Sequence, residues 1–150
     1  MRSDGTRPLT RRGALILAIA ATGAAQAAPA TKVAVWKDPA CGCCKGWVRH
    51  MRQAGFEVTV HEVDDVGPLK ASSGIPDALW SCHTALVEGY AIEGHVPAAD
   101  LWQLLGERPR ARGLAVPGMP ASAPGMDRPG EPYEVVLFGA PAGGRIWARH

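Results

Sequence analysis

The hydrophobic pattern between Val33 and Val60 changes period twice, and this restricts the fold more than any other feature of the chain. Val33-Ala34-Val35-Trp36 is a short apolar run of the kind that forms a strand. Lys37-Asp38-Pro39-Ala40 reads as a turn. Cys44, Trp47, Val48, Met51 and Ala54 then recur at i, i+3, i+4, i+7 and i+10, which gathers them on one helical face. Lys45, Arg49, Arg52 and Gln53 take the other face, and Gly55 suits the helix end. Phe56, Val58 and Val60 alternate with Glu57, Thr59 and His61, the two-residue period of a half-buried strand. Two strands joined through a helix are expected to run parallel in one sheet.

Further along, Asp64-Asp65 is placed to cap a short helical turn ending near Gly74, and Ile75-Pro76 opens the next segment. Thr84-Ala85-Leu86-Val87 and Tyr90-Ala91-Ile92 flank Glu88-Gly89, which is a hairpin signal. Pro97 suits the first position of another helix, in which Leu101, Leu104 and Leu105 share a face. The order strand, helix, strand, helix, strand, strand, helix is that of a thioredoxin-like domain, an α/β fold with a mixed sheet. Residues 109–132 are rich in Pro, Gly and Ala, and Pro117-Gly118-Met119 recurs as Pro124-Gly125-Met126. A loop of this length in a small domain is usually functional or disordered. An extra strand, Val135–Phe138, and a short Arg145-Ile146-Trp147 segment follow. One domain is therefore expected over residues 32–140, with residues 141–150 as a tail.

The N-terminus reads as a signal peptide over residues 1–27. Arg11-Arg12 precedes an apolar run from Ala14 to about Ala21, and Ala25-Gln26-Ala27 offers small residues for cleavage. The run is shorter than the roughly 20 apolar residues that span a bilayer. The paired arginines fit either a twin-arginine or a Sec signal, with Ala14 standing where the twin-arginine motif usually has Phe. The whole chain has 16 basic and 14 acidic residues; cleavage removes Arg2, Arg7, Arg11, Arg12 and Asp4, leaving 12 and 13. The remainder carries no basic surface of the kind that holds nucleic acid, and no membrane association is expected after cleavage.

The chemistry concentrates in Cys41-Gly42-Cys43-Cys44, at the mouth of the first expected helix, and in Cys82-His83 far downstream. A helix N-terminus stabilises thiolates and lowers their pKa. Cys41 and Cys44 form the C-x-x-C of thiol–disulfide oxidoreductases, whereas Cys41 and Cys43 form a C-x-C more typical of metal sites. A third adjacent thiol competes in disulfide exchange but serves a soft ion well, since thiolates favour Cu(I), Zn or iron–sulfur centres. A pair of structural disulfides is the third reading. Cys82 is expected to converge on the cluster, with His83 the best histidine candidate and His95 a weaker one, open to a capping or surface role. Met119 and Met126 offer thioether sulfur, which suits Cu(I), or simple hydrophobic cover. His50 and His61 read as solvated, His150 as tail, and Met51 as core. No Ser-His-Asp order, phosphate-cradling loop or H-E-x-x-H motif occurs.

Several motifs together resemble one family. They are Trp36-Lys37-Asp38-Pro39-Ala40-Cys41-Gly42-Cys43-Cys44-Lys45, Gly55-Phe56-Glu57-Val58, Ile75-Pro76, Ser81-Cys82-His83-Thr84, Glu93-Gly94-His95-Val96-Pro97 and Gly113-Leu114-Ala115-Val116-Pro117-Gly118-Met119-Pro120. The chain resembles the CopG-like exported copper-resistance proteins, also called domain of unknown function 411, over roughly residues 32 to 140. The resemblance implies a thioredoxin-like fold, a periplasmic location and copper as the bound metal. It implies metal roles for Cys41, Cys43, Cys44 and Cys82, and for His83, Met119 and Met126, with one or more Cu(I) held. It further implies interconversion of Cu(I) and Cu(II), with other periplasmic copper-handling proteins as partners. A thiol–disulfide oxidoreductase using Cys41 and Cys44, or a passive copper chaperone or buffer, are the alternatives.

Overall fold

The two changes of hydrophobic period become β1 (Lys32–Lys37), α1 (Gly42–Gln53) and β2 (Glu57–Glu62). The computed structural model describes residues 29–150, and the expected signal peptide at 1–27 lies outside them. There follow α2 (Gly67–Ser72), a 3-10 turn at Asp77–Leu79, β3 (His83–Val87), β4 (Tyr90–Glu93), α3 (Ala98–Glu107), β5 (Gly113–Ala115), β6 (Glu134–Phe138) and β7 (Arg145–Arg149). All seven strands form one mixed sheet in the order β2-β1-β3-β4-β5-β6-β7. The β1–β2 and β4–β5 pairs are parallel, and the others antiparallel.

Two segments depart from the sequence expectation. β5 lies inside the stretch expected to be a loop. Its three residues are buried and pair with β4, Ala91 opposite Gly113. A strand buried on both faces shows no alternation, and three residues are too few to show a period. Residues 141–150, expected as a tail, contain β7, so the sheet continues past residue 140. The last residue is tied down as well: Tyr133 and His150 exchange backbone hydrogen bonds at 3.0 Å, and His150 Nε2 lies 2.7 Å from Asp100 Oδ2.

Trp47, Val48 and Met51 of α1 pack with Val33 and Val35 of β1 and with Leu101 and Leu104 of α3 in the main core. Each such side chain contributes about 1.5–3 kcal/mol on burial. The Trp47 indole N–H donates to Val96 O at 2.8 Å, so its one polar atom is satisfied and α1 is pinned to the β4–α3 connection. Among the described residues, no helix is long and apolar enough to cross a membrane.

The registers bring four chain segments to one end of the sheet. Lys37 at the end of β1 pairs with His83 at the start of β3, Thr84 pairs with Glu93 at the end of β4, and Glu93 pairs with Ala115 at the end of β5. The turn into α1, the Ser81-Cys82 approach to β3, the Gly94-His95 exit from β4 and the Pro-Gly-Met loop after β5 therefore converge.

Candidate metal centre

Cys41 is the N-cap of α1 and its sulfur accepts the Cys44 N–H at 3.3 Å. The first turn holds no acidic residue, so no carboxylate within it offsets the positive end of the helix dipole near the sulfurs. Cys41 and Cys44 are joined in a disulfide with Cα atoms 5.4 Å apart, while Cys43 and Cys82 are free. Cys43 Sγ lies 3.5 Å from Cys41 Sγ and 3.9 Å from Cys82 Sγ. In this state two of the four expected sulfur donors are thiols, and the other two become thiols on reduction.

The second half of the site comes from the hairpin. Glu88 and Gly89 both have positive φ, 44° and 88°, as a two-residue turn with the twist of the flanking strands requires. Carrying the Thr84–Glu93 pairing two residues outward sets Cys82 opposite His95. Cys82 Sγ lies 3.0 Å from His95 Nε2 and 3.3 Å from His83 Nδ1. His95 Nδ1 lies 2.7 Å from Pro124 O. A carbonyl only accepts, so Nδ1 carries the proton, and the lone pair of a neutral His95 points from Nε2 toward Cys82.

Burial sets the charge states. Both histidines are fully buried and meet edge to face at 5.0 Å. Burial holds His83 well below the usual histidine range, and His95, Lys70 and Lys37 add to the depression. His95 is lowered by burial, against the opposing pull of the Pro124 carbonyl and Asp127. Burial pushes the Cys82 thiol up to about 12, with Cys43 reinforcing the shift. The metal-free site thus holds neutral imidazoles around a protonated thiol. Cys82 S–H can donate to His95 Nε2, and a soft ion would take the place of that proton. His83 Nε2 is buried with no hydrogen-bond partner among the described residues.

A buried ionic network fixes the Cys82 segment. Glu93, fully buried, receives Lys70 Nζ at 2.5 Å, the Ser81 N–H at 2.6 Å and the Thr84 hydroxyl at 2.6 Å. Lys70 Nζ also reaches Thr84 Oγ1 at 3.0 Å. Glu93 therefore grips the residues on either side of Cys82-His83. Gly94, at φ +70°, passes so close that a Cβ there would stand 2.6 Å from the Ser81 side chain, and its N–H donates to His83 O at 2.9 Å.

The two loop methionines are placed differently. Met119 is exposed and lines, with Trp80, Ser81, Cys82 and Gly118, a cleft of about 270 Å³. The Ser81 hydroxyl donates to Gly118 O and holds that loop against the cysteine segment. Met126 is half-buried and follows Gly125, whose backbone rests on the first turn of α1; a Cβ on Gly125 would stand 2.7 Å from Cys43 O.

The structure brings together Cys41, Cys43, Cys44 and Cys82 as one group, and Cys82, His83 and His95 as a second that shares Cys82. His95, the weaker histidine candidate in the sequence, lies nearer to Cys82 than His83 does. Its signal lay in the Glu88-Gly89 turn, which sets the register that puts it opposite Cys82. His50, expected to be solvated, is half-buried and accepts the Ala98 N–H at 3.0 Å at the start of α3. Burial lowers its pKa, as suits an acceptor. His61 is exposed and stacks on Trp36 at 4.5 Å. Asp65 accepts the Gly67 N–H at 2.8 Å in a local turn.

Comparison with known proteins places the chain in a family. The family model described as "Protein of unknown function, DUF411" matches residues 79–126, the span that holds Cys82, His83, His95 and both loop methionines. Two solved structures of copper resistance protein CopG, forms 2 and 1, superpose with TM-scores of 0.76 and 0.75. Each is 40% identical to this chain and covers 81% of it, with 98% of the CopG chain matched. No curated protein matches the sequence.

Proposed function

The chain belongs to the DUF411 family of CopG-like copper-resistance proteins, and from that premise we propose that it binds copper as its cargo where Cys82 joins the two donor groups. The observation that carries this reading is the environment of Cys82: a thiol 3.9 Å from Cys43 Sγ and 3.0 Å from an imidazole nitrogen whose other ring nitrogen is held by Pro124 O. A histidine oriented through its far nitrogen is the usual partner arrangement of a metal ligand. The donor set fits copper: sulfur favours Cu(I), and imidazole accepts both oxidation states.

Reduction of the Cys41–Cys44 disulfide completes the set. Cys41, Cys43, Cys44 and Cys82 then supply four sulfurs, with His83 and His95 beside them, enough to hold more than one Cu(I). Met119 or Met126 completes coordination from the loop. The same disulfide accounts for interconversion of Cu(I) and Cu(II). Its formation from two thiols releases two electrons and two protons, which reduces two Cu(II) to two Cu(I). In this reading the protein works in the periplasm after export through residues 1–27, exchanging copper with other periplasmic copper-handling proteins. Cysteines at the first turn of α1, within the strand and helix order described above, support a thioredoxin-like core over residues 32–140. Titration of the reduced protein with Cu(I) against a competing chelator tests the reading. Binding no tighter than that of a Cys41/Cys43/Cys44→Ser triple variant contradicts it.

The Cys41–Cys44 disulfide favours a second reading, a thiol–disulfide oxidoreductase. In that case Cys43→Ser leaves dithiol exchange with a protein substrate intact, and the activity needs no metal.

A further inference from the structure

Lys45, Arg49 and Arg52 are exposed on the outer face of α1, starting one residue after Cys44. Lys37 of β1 and Glu62 of β2 face them across an open cleft of about 320 Å³. Val48 and Val60 line the same cleft and give it an apolar part. Four of the 12 basic residues in segment 28–150 thus face one concavity with a single acid, although that segment has one more acid than base. Glu62 is already engaged, 3.2 Å from Lys37 Nζ, and Lys37 is only 1% exposed. Lys45, Arg49 and Arg52 make no ion pair among the described residues. Arg52 gives one N–H to Val58 O at 3.0 Å, which orients its guanidinium without neutralising it. A row of cations on a convex helix face is ordinarily solvated. This row lines a concavity, and Lys45 at its start follows Cys44 directly in the chain.

We propose that this cleft is the docking site for an extended acidic segment of a protein that exchanges copper with this one. The inference rests on the copper-binding reading and adds the chemistry of the partner. Lys45 and Arg49 are separated by about 6 Å along the helix axis. Alternate residues of an extended peptide repeat every ~6.6 Å. A segment with acids at alternate positions therefore sets two carboxylates against Lys45 and Arg49, with Arg52 about 4.5 Å further along the axis. Its docking brings the partner's copper-bearing part beside Cys41–Cys44. Complementary charge of this kind acts mostly on the encounter rate and weakens with salt.

The test uses Cu(I) carried on a short cysteine-containing peptide with a tail of alternating Glu and Gly, and the same peptide with Gln in place of Glu. Transfer to the reduced protein is followed by stopped flow at low and high salt. The expected result is transfer on the order of tenfold faster from the Glu-tailed peptide at low salt. That advantage is lost in the Arg49→Glu/Arg52→Glu variant and suppressed by salt, while the variant's Cu(I) affinity equals that of the wild type. Equal rates from the two peptides, or an advantage that survives in the variant, overturn the proposal. So does a fluorescent Glu-Gly peptide that fails to bind saturably while inorganic phosphate does, because the cleft would then be a small-anion site. Failure of the copper-binding reading gives a different result: neither wild type nor variant takes Cu(I), whatever the peptide does.

Discussion

The sulfur half and the imidazole half of the site are built in opposite ways. Cys41, Cys43 and Cys44 are neighbours in sequence at the start of α1, and Cys41 and Cys44 are joined in a disulfide. His83 and His95 are fully buried, one at the start of β3 and the other in the connection that leaves β4, and are held by a turn, a loop carbonyl and the Glu93 network. Cys41 and Cys43 are partly exposed at the start of α1, whereas Cys44 is fully buried. Cys82 is the one residue common to both halves.

The contrast is broken most severely by removing the anchor of the buried half. Glu93→Gln leaves the Lys70 charge buried without its partner and is expected to cost roughly 3–5 kcal/mol in urea unfolding of the oxidised protein. Unchanged stability would show that the network does not hold this half. Next comes the shared atom. Cys82→Ser is expected to weaken Cu(I) binding by about 100-fold or more in chelator competition, a greater loss than for any single cysteine of the α1 cluster. His95→Gln removes the oriented nitrogen and is expected to cost roughly tenfold to 100-fold in the same assay, with the Cys41–Cys44 disulfide still forming.

Acid stability separates the two halves more gently. The fold keeps His83 and His95 neutral below the ordinary histidine value of 6.5, whereas the unfolded chain takes up protons there. Stability of the metal-free protein is therefore expected to fall as pH drops through about 6.5. Cys82 has the opposite effect at high pH. It remains a thiol in the fold up to about 12 but ionises near 9.0 when unfolded, so stability also falls above that value. Urea midpoints measured across pH check both limbs: His83→Gln flattens the acid limb, and Cys43→Ser leaves it unchanged. The smallest effect is expected from the exposed loop. Met119→Ala changes Cu(I) affinity by about threefold or less, since a thioether is a weak and replaceable ligand.

β1, α1, β2, β3, β4 and α3 are legible from their apolar residues, from Val33–Trp36 to Leu101, Leu104 and Leu105, whereas α2 is signalled only by Asp64-Asp65, and its N-cap is Val66 without a side-chain cap. β5 is not legible, because Gly113-Leu114-Ala115 is buried on both faces and shows no alternation. β7 reads only as a short segment, since its membership of the sheet is settled by pairing with β6. Convergence of Cys82 on the cluster is readable from the order of elements. The placement of His95 is half readable: the Glu88-Gly89 turn sets it opposite Cys82, but no local pattern says that Pro124 O of an irregular loop accepts its Nδ1–H hydrogen bond. Lys70 and Glu93 are ordinary charged residues in the sequence, and only tertiary structure buries them as a pair. Three cysteines within four positions also leave their pairing open, so the Cys41–Cys44 bond is a finding of the structure.

X-ray absorption at the copper edge of the reduced, Cu(I)-loaded protein puts the meeting of the two halves to the most direct test. Copper held where Cys82 joins them gives a sulfur shell together with the multiple-scattering signature of imidazole, and the imidazole part diminishes in His95→Gln. A spectrum with sulfur neighbours alone, identical in wild type and His95→Gln, would contradict the account.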